Sequence, residues 1–346
     1  MSRDKLAGRK FAADAVLTQV LQTLKGASGP VSGESLASHL GLSRAAVWKR
    51  INRLKAMGYV ILGEPRRGYR LLGSPDKLLA EEIIPGLATR RLKGPVHHFH
   101  SLPSTNDLAK ELGAQGAPEG TLVVAETQTR GRGRLGRQWD SPPGGGLYVS
   151  LLLRPALPPT QISQITLTAA VAVARALGRA AGITPGIKWP NDVLLEAKKV
   201  GGILTEMETE ADQIRFLVVG LGLNVNNPEF PAELQDLATS LARVTGHTFS
   251  RRNILRAWLE EFEDLYEQFL AFEFAGILAE WKAYTVTLGR AVTVRQGLRE
   301  ISGLALDVAP DGALLLQTGA GEIVRISSGE LAPGPRWLGP GPADCQ

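Results

Sequence analysis

Apolar positions in the first part of the chain recur at helical spacing and then give way to short runs. Between residues 12 and 24, Val16, Val20, Leu21 and Leu24 share one helical face, and the Gly/Ser/Pro stretch 26–30 ends the run. A second short helix follows Ser32 and carries Leu36 and Leu40. Gly41 then turns the chain and Ser43 caps a third helix, in which Val47, Ile51 and Leu54 fall at i, i+4 and i+7 and point inward. After Gly58, the runs 59–62 and 69–72 flank a turn and predict a β-hairpin. Helices joined by a tight turn and followed by a hairpin predict a winged helix-turn-helix over residues 1–75.

Beyond about residue 74, Gly and Pro punctuate apolar runs. Strands are expected at 121–125, 147–153, 203–206 and 214–219, and a long helix at 162–181. A second long helix is expected over 254–274, apolar at Ile254, Trp258, Phe262, Leu265 and Phe269. Its Glu260, Glu261, Glu263 and Glu267 read as a solvated face. These elements make an α/β or α+β domain over 76–282. From 286 to 331, short apolar runs broken by turns such as Pro310-Asp311-Gly312 predict a small β-barrel of about five strands, placed at 283–332. The Pro- and Gly-rich segment 333–346 reads as a flexible tail.

Composition adds constraints. With 346 residues, 44% apolar and 21% charged, the chain is that of a folded protein of two or three domains. One cysteine, Cys345, excludes an intramolecular disulfide and a cysteine-based zinc site and fits a reducing cytoplasm. Neither an export signal nor a run of about 18 apolar residues is seen, so no membrane association is expected. Charge is uneven: residues 1–75 hold thirteen Lys or Arg against four acids, a net +9, which leaves −4 of the total +5 for the remainder. A basic head on a mildly acidic body indicates a polyanion-binding module. Ser43, Arg44, Ala46 and Val47, at the start of the third helix, are the expected base readers. Lys49, Arg50, Arg53, Arg66 and Arg67 are the expected backbone contacts on DNA. A plain solvated basic face, or a protein-docking helix-turn-helix, is the alternative. The charged leader 1–9 has no assigned role.

Four elements in the body carry chemistry. The segment 131–137 alternates glycine with Arg132, Arg134 and Arg137 just before Trp139. Glycine permits close backbone approach and arginine supplies paired donors, so the segment suits an anhydride-bearing anion; an RNA-binding arginine-glycine stretch is the alternative. The run Lys188-Trp189-Pro190-Asn191-Asp192 sets a cation and a carboxylate around a turn, with Asp192 as a magnesium ligand or the whole as a packed turn. Lys199, ahead of Gly201 and Gly202, is placed to hold a carboxylate and an α-phosphate together, or is a surface lysine. The run 220–226 follows an apolar strand but lacks the third glycine and the following helix of a dinucleotide turn. Walker A, HExxH and GxSxG motifs are absent, and His97, His98 and His100 read as strand and loop rather than metal ligands.

In this order, with Ser104-Thr105-Asn106 ahead of them, these elements resemble the biotin protein ligase family. The basic head makes the whole resemble its bifunctional ligase and repressor members, over roughly residues 12–332. The resemblance implies a central catalytic domain of the biotin/lipoate ligase type and a C-terminal SH3-like barrel. It also implies formation of biotinyl-5'-adenylate from biotin and ATP with magnesium, and transfer to a lysine of a biotin carboxyl carrier protein. By similarity, Ser104, Thr105, Asn106 and Gln128 contact the biotin ring, and Arg132, Gly133 and Arg134 close over biotin and phosphate. Trp139 packs on adenine, Arg137, Lys188, Asn191 and Asn224 lie along the ATP, and Lys199, Arg132 and Arg134 act in the reaction. The family also implies a homodimer that uses the adenylate as corepressor. Leu135 stands where related loops often carry arginine. A lipoate ligase shares the superfamily fold but has a different ligand loop. The alternative function is a ligand-sensing transcriptional regulator without ligase turnover.

Overall fold

The computed structural model describes residues 14–332; the expected leader and tail lie outside them. It divides into two compact units. One runs to Leu87 and takes in Pro95–His98, and the other comprises Ala88–Gly94 and the chain from Phe99 on.

In the first unit, α1 (Ala15–Gly26) starts where Asp14 Oδ1 accepts from the Leu17 amide. Ser32 and Ser43 cap α2 (Gly33–Leu40) and α3 (Arg44–Met57) in the same way. Gly41 and Gly58, with φ of 64° and 106°, end those helices in the left-handed region. The wing pairs β1 (Val60–Glu64) with β2 (Gly68–Gly73). Leu17, Val20, Leu36, Val47, Ile51 and Leu54 form a single core. Leu79 also packs in that core, and Glu82, in α4 (Ala80–Ile83), accepts from Lys25 and from the Tyr59 hydroxyl at 2.8 Å. The unit therefore extends past residue 75, where composition alone placed the boundary.

Apart from the first three residues of β3, the second unit holds a sheet of seven strands: β3 (Val96–Leu102), β4 (Leu122–Gln128), β5 (Gly146–Leu153), β6 (Gly186–Lys188), β7 (Asp192–Leu195), β8 (Lys198–Glu210) and β9 (Gln213–Asn224). Their order is β3-β4-β5-β9-β8-β7-β6. The pairs β4–β5, β5–β9, β9–β8, β8–β7 and β7–β6 are antiparallel, which makes the unit α+β. The expected strands 203–206 and 214–219 are the middles of two much longer strands. The run 220–224 is the end of β9 rather than a turn.

α5 (Thr105–Ala114) packs on β4, β5 and β9 through Ala109, Val123, Leu152, Phe216 and Val218. α6 (Ile162–Ala181) has the expected bounds and packs on α8 (Arg251–Leu270) and α9 (Phe274–Tyr284), with the short α7 (Leu241–Thr245) before them.

Two expectations for this helical layer are corrected. The helix expected over 254–274 ends at Leu270, and Phe272 turns the chain at φ 65°. Phe269 and Phe274 are both buried and meet edge to face at 5.9 Å, so the apolar spacing runs across the break without marking it. Of the four glutamates only Glu267 is exposed, so they do not form one solvated face. Glu263 is 5% exposed and accepts the amides of Arg90, Arg91 and Leu92 at 2.6–2.7 Å, while Glu260 and Glu261 pair with Arg179.

The C-terminal part is a five-stranded antiparallel sheet. It comprises β10 (Ala291–Gln296), β11 (Arg299–Val308), β12 (Leu314–Thr318), β13 (Ile323–Ile326) and β14 (Glu330–Leu331), in the order β13-β12-β11-β10-β14. Trp189 anchors it: its amide donates to Thr287 Oγ1 at 2.9 Å and its indole N–H to the Gly312 carbonyl at 3.0 Å.

Candidate functional site

Side chains alternate across a strand, so residues opposite one another in an antiparallel pair share a face. Along β9, Phe216 and Val218 lie under α5, and the same face continues through Gly220 and Gly222 to Asn224. α5 begins only at Thr105, and past its N-terminus this face is open. The register places Glu206 opposite Val218, Leu204 and Ser150 opposite Gly220, and Gly202 and Tyr148 opposite Gly222. The result is a cavity of about 780 Å³, floored by this face and roofed by the segment 131–140.

The two glycines of β9 are required by close approach. A Cβ on Gly220 would fall 2.2 Å from Asn106 Oδ1, and one on Gly222 would fall 2.5 Å from the Trp139 indole. Glycine thus lets one polar and one aromatic side chain lie flat on the sheet.

The floor is neutral and hydrogen-bonded. Ser104 caps α5, accepting from the Asp107 amide at 3.4 Å. The Thr105 amide donates to Gln128 Oε1 at 2.8 Å, and Gln128 Nε2 donates to Ser141 Oγ at 3.0 Å. Asn106 Nδ2 donates to Glu206 Oε2 at 2.9 Å and to the Leu204 carbonyl at 3.2 Å, while Ser150 Oγ donates to Asn106 Oδ1 at 2.5 Å. Ser104, Thr105, Asn106 and Gln128 all line the cavity.

The other end is cationic. Lys199 Nζ lies 2.6 Å from Asp192 Oδ1 and 5.4 Å from the centre of the Trp139 ring. Burial lowers the pKa of Arg134, against the pull of Asp192 and Glu330. Burial also lowers that of Lys188, which feels Asp192, Lys199, Glu330 and Arg137. Arg134, Arg137, Lys188 and Lys199 thus share this end of the cavity with Asp192 and Glu330. Arg134 Nη1 donates to Asn191 Oδ1 at 3.3 Å, Asn191 Nδ2 to the Ile203 carbonyl at 2.7 Å, and Lys188 to the Leu331 carbonyl at 3.3 Å. Asn224 is buried and donates to the Thr239 carbonyl. The Trp189-Pro190 peptide is cis.

The roof is a small hairpin. Gly133 N–H donates to the Arg137 carbonyl at 2.7 Å and Trp139 N–H to that of Gly131 at 2.9 Å. Leu135, at φ 54° and 67% exposed, forms its tip and points away from the site. Arg132 Nη2 lies 2.7 Å from both Asp107 Oδ1 and Glu206 Oε2, and Arg137 pairs with Glu330 of β14.

The structure brings together Ser104, Thr105, Asn106, Gln128, Arg132, Gly133, Arg134, Arg137, Trp139, Lys188, Asn191, Asp192, Lys199 and Asn224 around this one cavity. Sequence reading missed Ser150, Glu206, Asp107 and Ser141. Ser150 had a signal, being the one small polar side chain in a strand of aliphatic residues, glycine and Tyr148; Glu206 becomes visible only through register. Among the described residues there is no group of three or more His, Cys, Asp or Glu suited to a metal, and the carboxylate of Asp192 is engaged by Lys199.

The first unit presents a second surface. Ser43, Arg44, Lys49, Arg53, Arg66 and Arg67 are exposed, and Ala46 and Arg50 are half-buried. Val47 is 1% exposed and belongs to the core, so it is not a base reader: its place in the i, i+4, i+7 row with Ile51 and Leu54 turns it inward. The outward face of α3 carries Ala45 and Trp48 instead, the indole 58% exposed. Arg53 pairs with Asp14 and Arg67 with Glu64, each at 2.9 Å.

Fold and site thus define a protein that carries a winged helix-turn-helix and a cavity with a hydrogen-bonded floor and a cationic end. The biotin/lipoate A/B protein ligase family matches residues 98–224, an HTH domain matches 16–70, and the biotin protein ligase C-terminal domain matches 287–331. The bifunctional ligase/repressor BirA of Bacillus subtilis (strain 168) is 42% identical over 306 residues, 88% of this chain and 94% of its own. That of Escherichia coli (strain K12) is 30% identical over 83% of this chain and 88% of its own. The solved biotin protein ligase from Aquifex aeolicus in complex with biotin and ATP superposes with a TM-score of 0.59 at 34% identity, covering 68% of this chain and 97% of that one. The chain belongs to the biotin/lipoate A/B protein ligase family.

Proposed function

We propose that this protein is a biotin protein ligase that activates biotin with ATP and transfers it to a lysine of a biotin carboxyl carrier protein. The observation that carries this reading is one cavity with two ends: a neutral hydrogen-bonding floor on β9 and a cationic end around Lys199. The floor, at Ser104, Thr105, Asn106 and Gln128, matches the polar edge of a ureido ring, and the carboxylate arm would run toward Lys199. There Lys199, Arg132 and Arg134 hold the carboxylate against the α-phosphate as negative charge builds between them. The carboxylate oxygen forms a bond to the α-phosphorus and pyrophosphate leaves with the electron pair. The carrier lysine amine then attacks the acyl carbon, AMP leaves, and an amide remains. Arg137, Lys188, Asn191 and Asn224 would line the nucleotide, and Trp139, already flat on Gly222, offers a face for its base.

A single carboxylate, Asp192, suits a magnesium ion that arrives with the triphosphate and keeps most of its waters, rather than a resident metal. When bound, such an ion would neutralise the departing pyrophosphate.

The first unit gives the protein a second role. Arg44 and Lys49 on α3 and Arg66 on the wing suit operator phosphates, and a homodimer would present two such units to a two-fold site. We place the protein in the cytoplasm, where ATP and carrier domains meet; among the described residues no helix is long and apolar enough to cross a membrane.

Incubation with biotin, ATP and magnesium, followed by native mass spectrometry and then addition of a carrier domain, tests the reading. A bound biotinyl-adenylate that is discharged onto one carrier lysine is the expected result. Tight biotin binding without adenylate would leave only a ligand sensor.

A further inference from the structure

Asn106, like Gln128, is a floor residue whose polarity depends on which way its amide is turned, since oxygen accepts and nitrogen donates. Its neighbours decide the question. On one side stand two groups that can only accept, the Glu206 carboxylate at 2.9 Å and the Leu204 carbonyl at 3.2 Å. On the other side Ser150 Oγ, wholly buried, lies 2.5 Å from the amide oxygen and 2.8 Å from Thr105 Oγ1, so that with Thr105 donating to Ser150 the one Ser150 hydrogen goes to Asn106. Both amide hydrogens are thereby taken by acceptors of the protein itself. The oxygen takes one hydrogen bond from Ser150 and keeps its second lone pair.

Glu206 is itself held in place. Its Oε1 accepts from Lys110 at 3.1 Å, and its Oε2 is shared between Asn106 and Arg132. Gly220 closes the remaining side, where any Cβ would displace the amide.

We propose that Glu206 and Ser150 are positioning residues that set the specificity of the acid-binding floor, locking the Asn106 amide so that it offers an oxygen to a ring N–H of the ligand. The inference rests on the ligase reading. It assigns to two residues outside the cavity lining the choice between a ring that carries N–H at this point and one that carries an acceptor there. A site whose buried acceptor is left unpaired by the wrong ligand discriminates strongly, whereas an amide free to turn accommodates either.

The test is calorimetric titration, without ATP, of the full chain with biotin and with the two cyclic carbamate analogues in which ring oxygen replaces one or the other ureido N–H. The wild-type protein is expected to prefer biotin over one of the two carbamates by on the order of 100-fold. Glu206→Ala is expected to cut that preference at least tenfold. Ser150→Ala, a near-isosteric change inside β5, should act in the same direction and decides the matter if the first variant does not fold. The proposal is overturned if folded variants lose affinity for all three ligands equally, which is the mark of a merely structural role. It is equally overturned if the wild-type protein shows no preference between biotin and either carbamate. A wild-type protein that binds no biotin at all would overturn the ligase reading itself, and this inference with it.

Discussion

The floor of the cavity and the loop above it are both polar, but they are held in opposite ways. Floor groups are buried, neutral or fully paired, and fixed by β9 and by close contacts that only glycine permits. Besides the largely buried Arg134, which donates to Asn191, the loop 131–137 is held by ion pairs of exposed arginines: Arg132 with Asp107 and Glu206, and Arg137 with Glu330. Buried hydrogen bonds resist rearrangement because an unmade partner costs about 1–3 kcal/mol, whereas an exposed ion pair contributes about 0–1 kcal/mol. A preformed floor can therefore select the acid, and a weakly tethered loop can exchange its carboxylates for an incoming anion. The same contrast separates Lys199, whose partner Asp192 leaves it at the cavity wall, from Asn106, whose partners allow one orientation.

Substitutions can sharpen or break this contrast. The largest effect is expected for Lys199→Ala: biotin-dependent pyrophosphate exchange should fall by about 10²–10³-fold with an unchanged melting transition. Near wild-type exchange would show that the charge at this end is not the one that counts. Next, Gly220→Ala sets a Cβ against Asn106 and should weaken biotin binding by roughly 1.5–3 kcal/mol, about 10- to 100-fold, in a titration. A silent result would mean that the floor is as adaptable as the loop.

A smaller effect concerns pH. Burial would raise the pKa of Glu206, but hydrogen bonds from Asn106 and Lys110 and the charges of Arg132 and Lys110 outweigh it, and the carboxyl lies below its ordinary value of 4.5. A group whose folded pKa is depressed stabilises the folded state above the ordinary value and loses that contribution as pH falls through the folded one. The stability difference between wild type and Glu206→Ala should therefore be flat near neutrality and shrink below about pH 4.5 in denaturant titrations. A difference that grows on acidification would contradict this assignment. The smallest effect is expected for Arg137→Ala, within about 0.5 kcal/mol in the same titrations, because its pair with Glu330 is exposed. A loss of several kcal/mol would place the loop with the floor.

What could be read in the sequence follows the same division. Caps at Ser32 and Ser43, the inward row Val47, Ile51 and Leu54, and the bounds of α6 are local patterns, and all three are visible in the chain alone. The charged and glycine-rich segments announce themselves by composition. The floor does not, because it is made by register: Ser150, Gly220 and Leu204 lie side by side through pairing of strands far apart in sequence. For that reason Ser150 and Glu206 carry no assignment from the chain alone, and the apolar spacing sets Gly220 after its strand rather than within it. Glu263 was misread for a related reason, since the amides it accepts come from a segment more than 170 residues away. Val47 shows the converse: the period that placed it in the core also ruled it out as a base reader.

The central claim, that a fixed floor selects the acid before the cationic end activates it, is tested most directly by ATP–pyrophosphate exchange in the purified chain with biotin, lipoate or octanoate as the only acid. The account predicts exchange with biotin and none above background with the other two. Comparable exchange with lipoate or octanoate would contradict it.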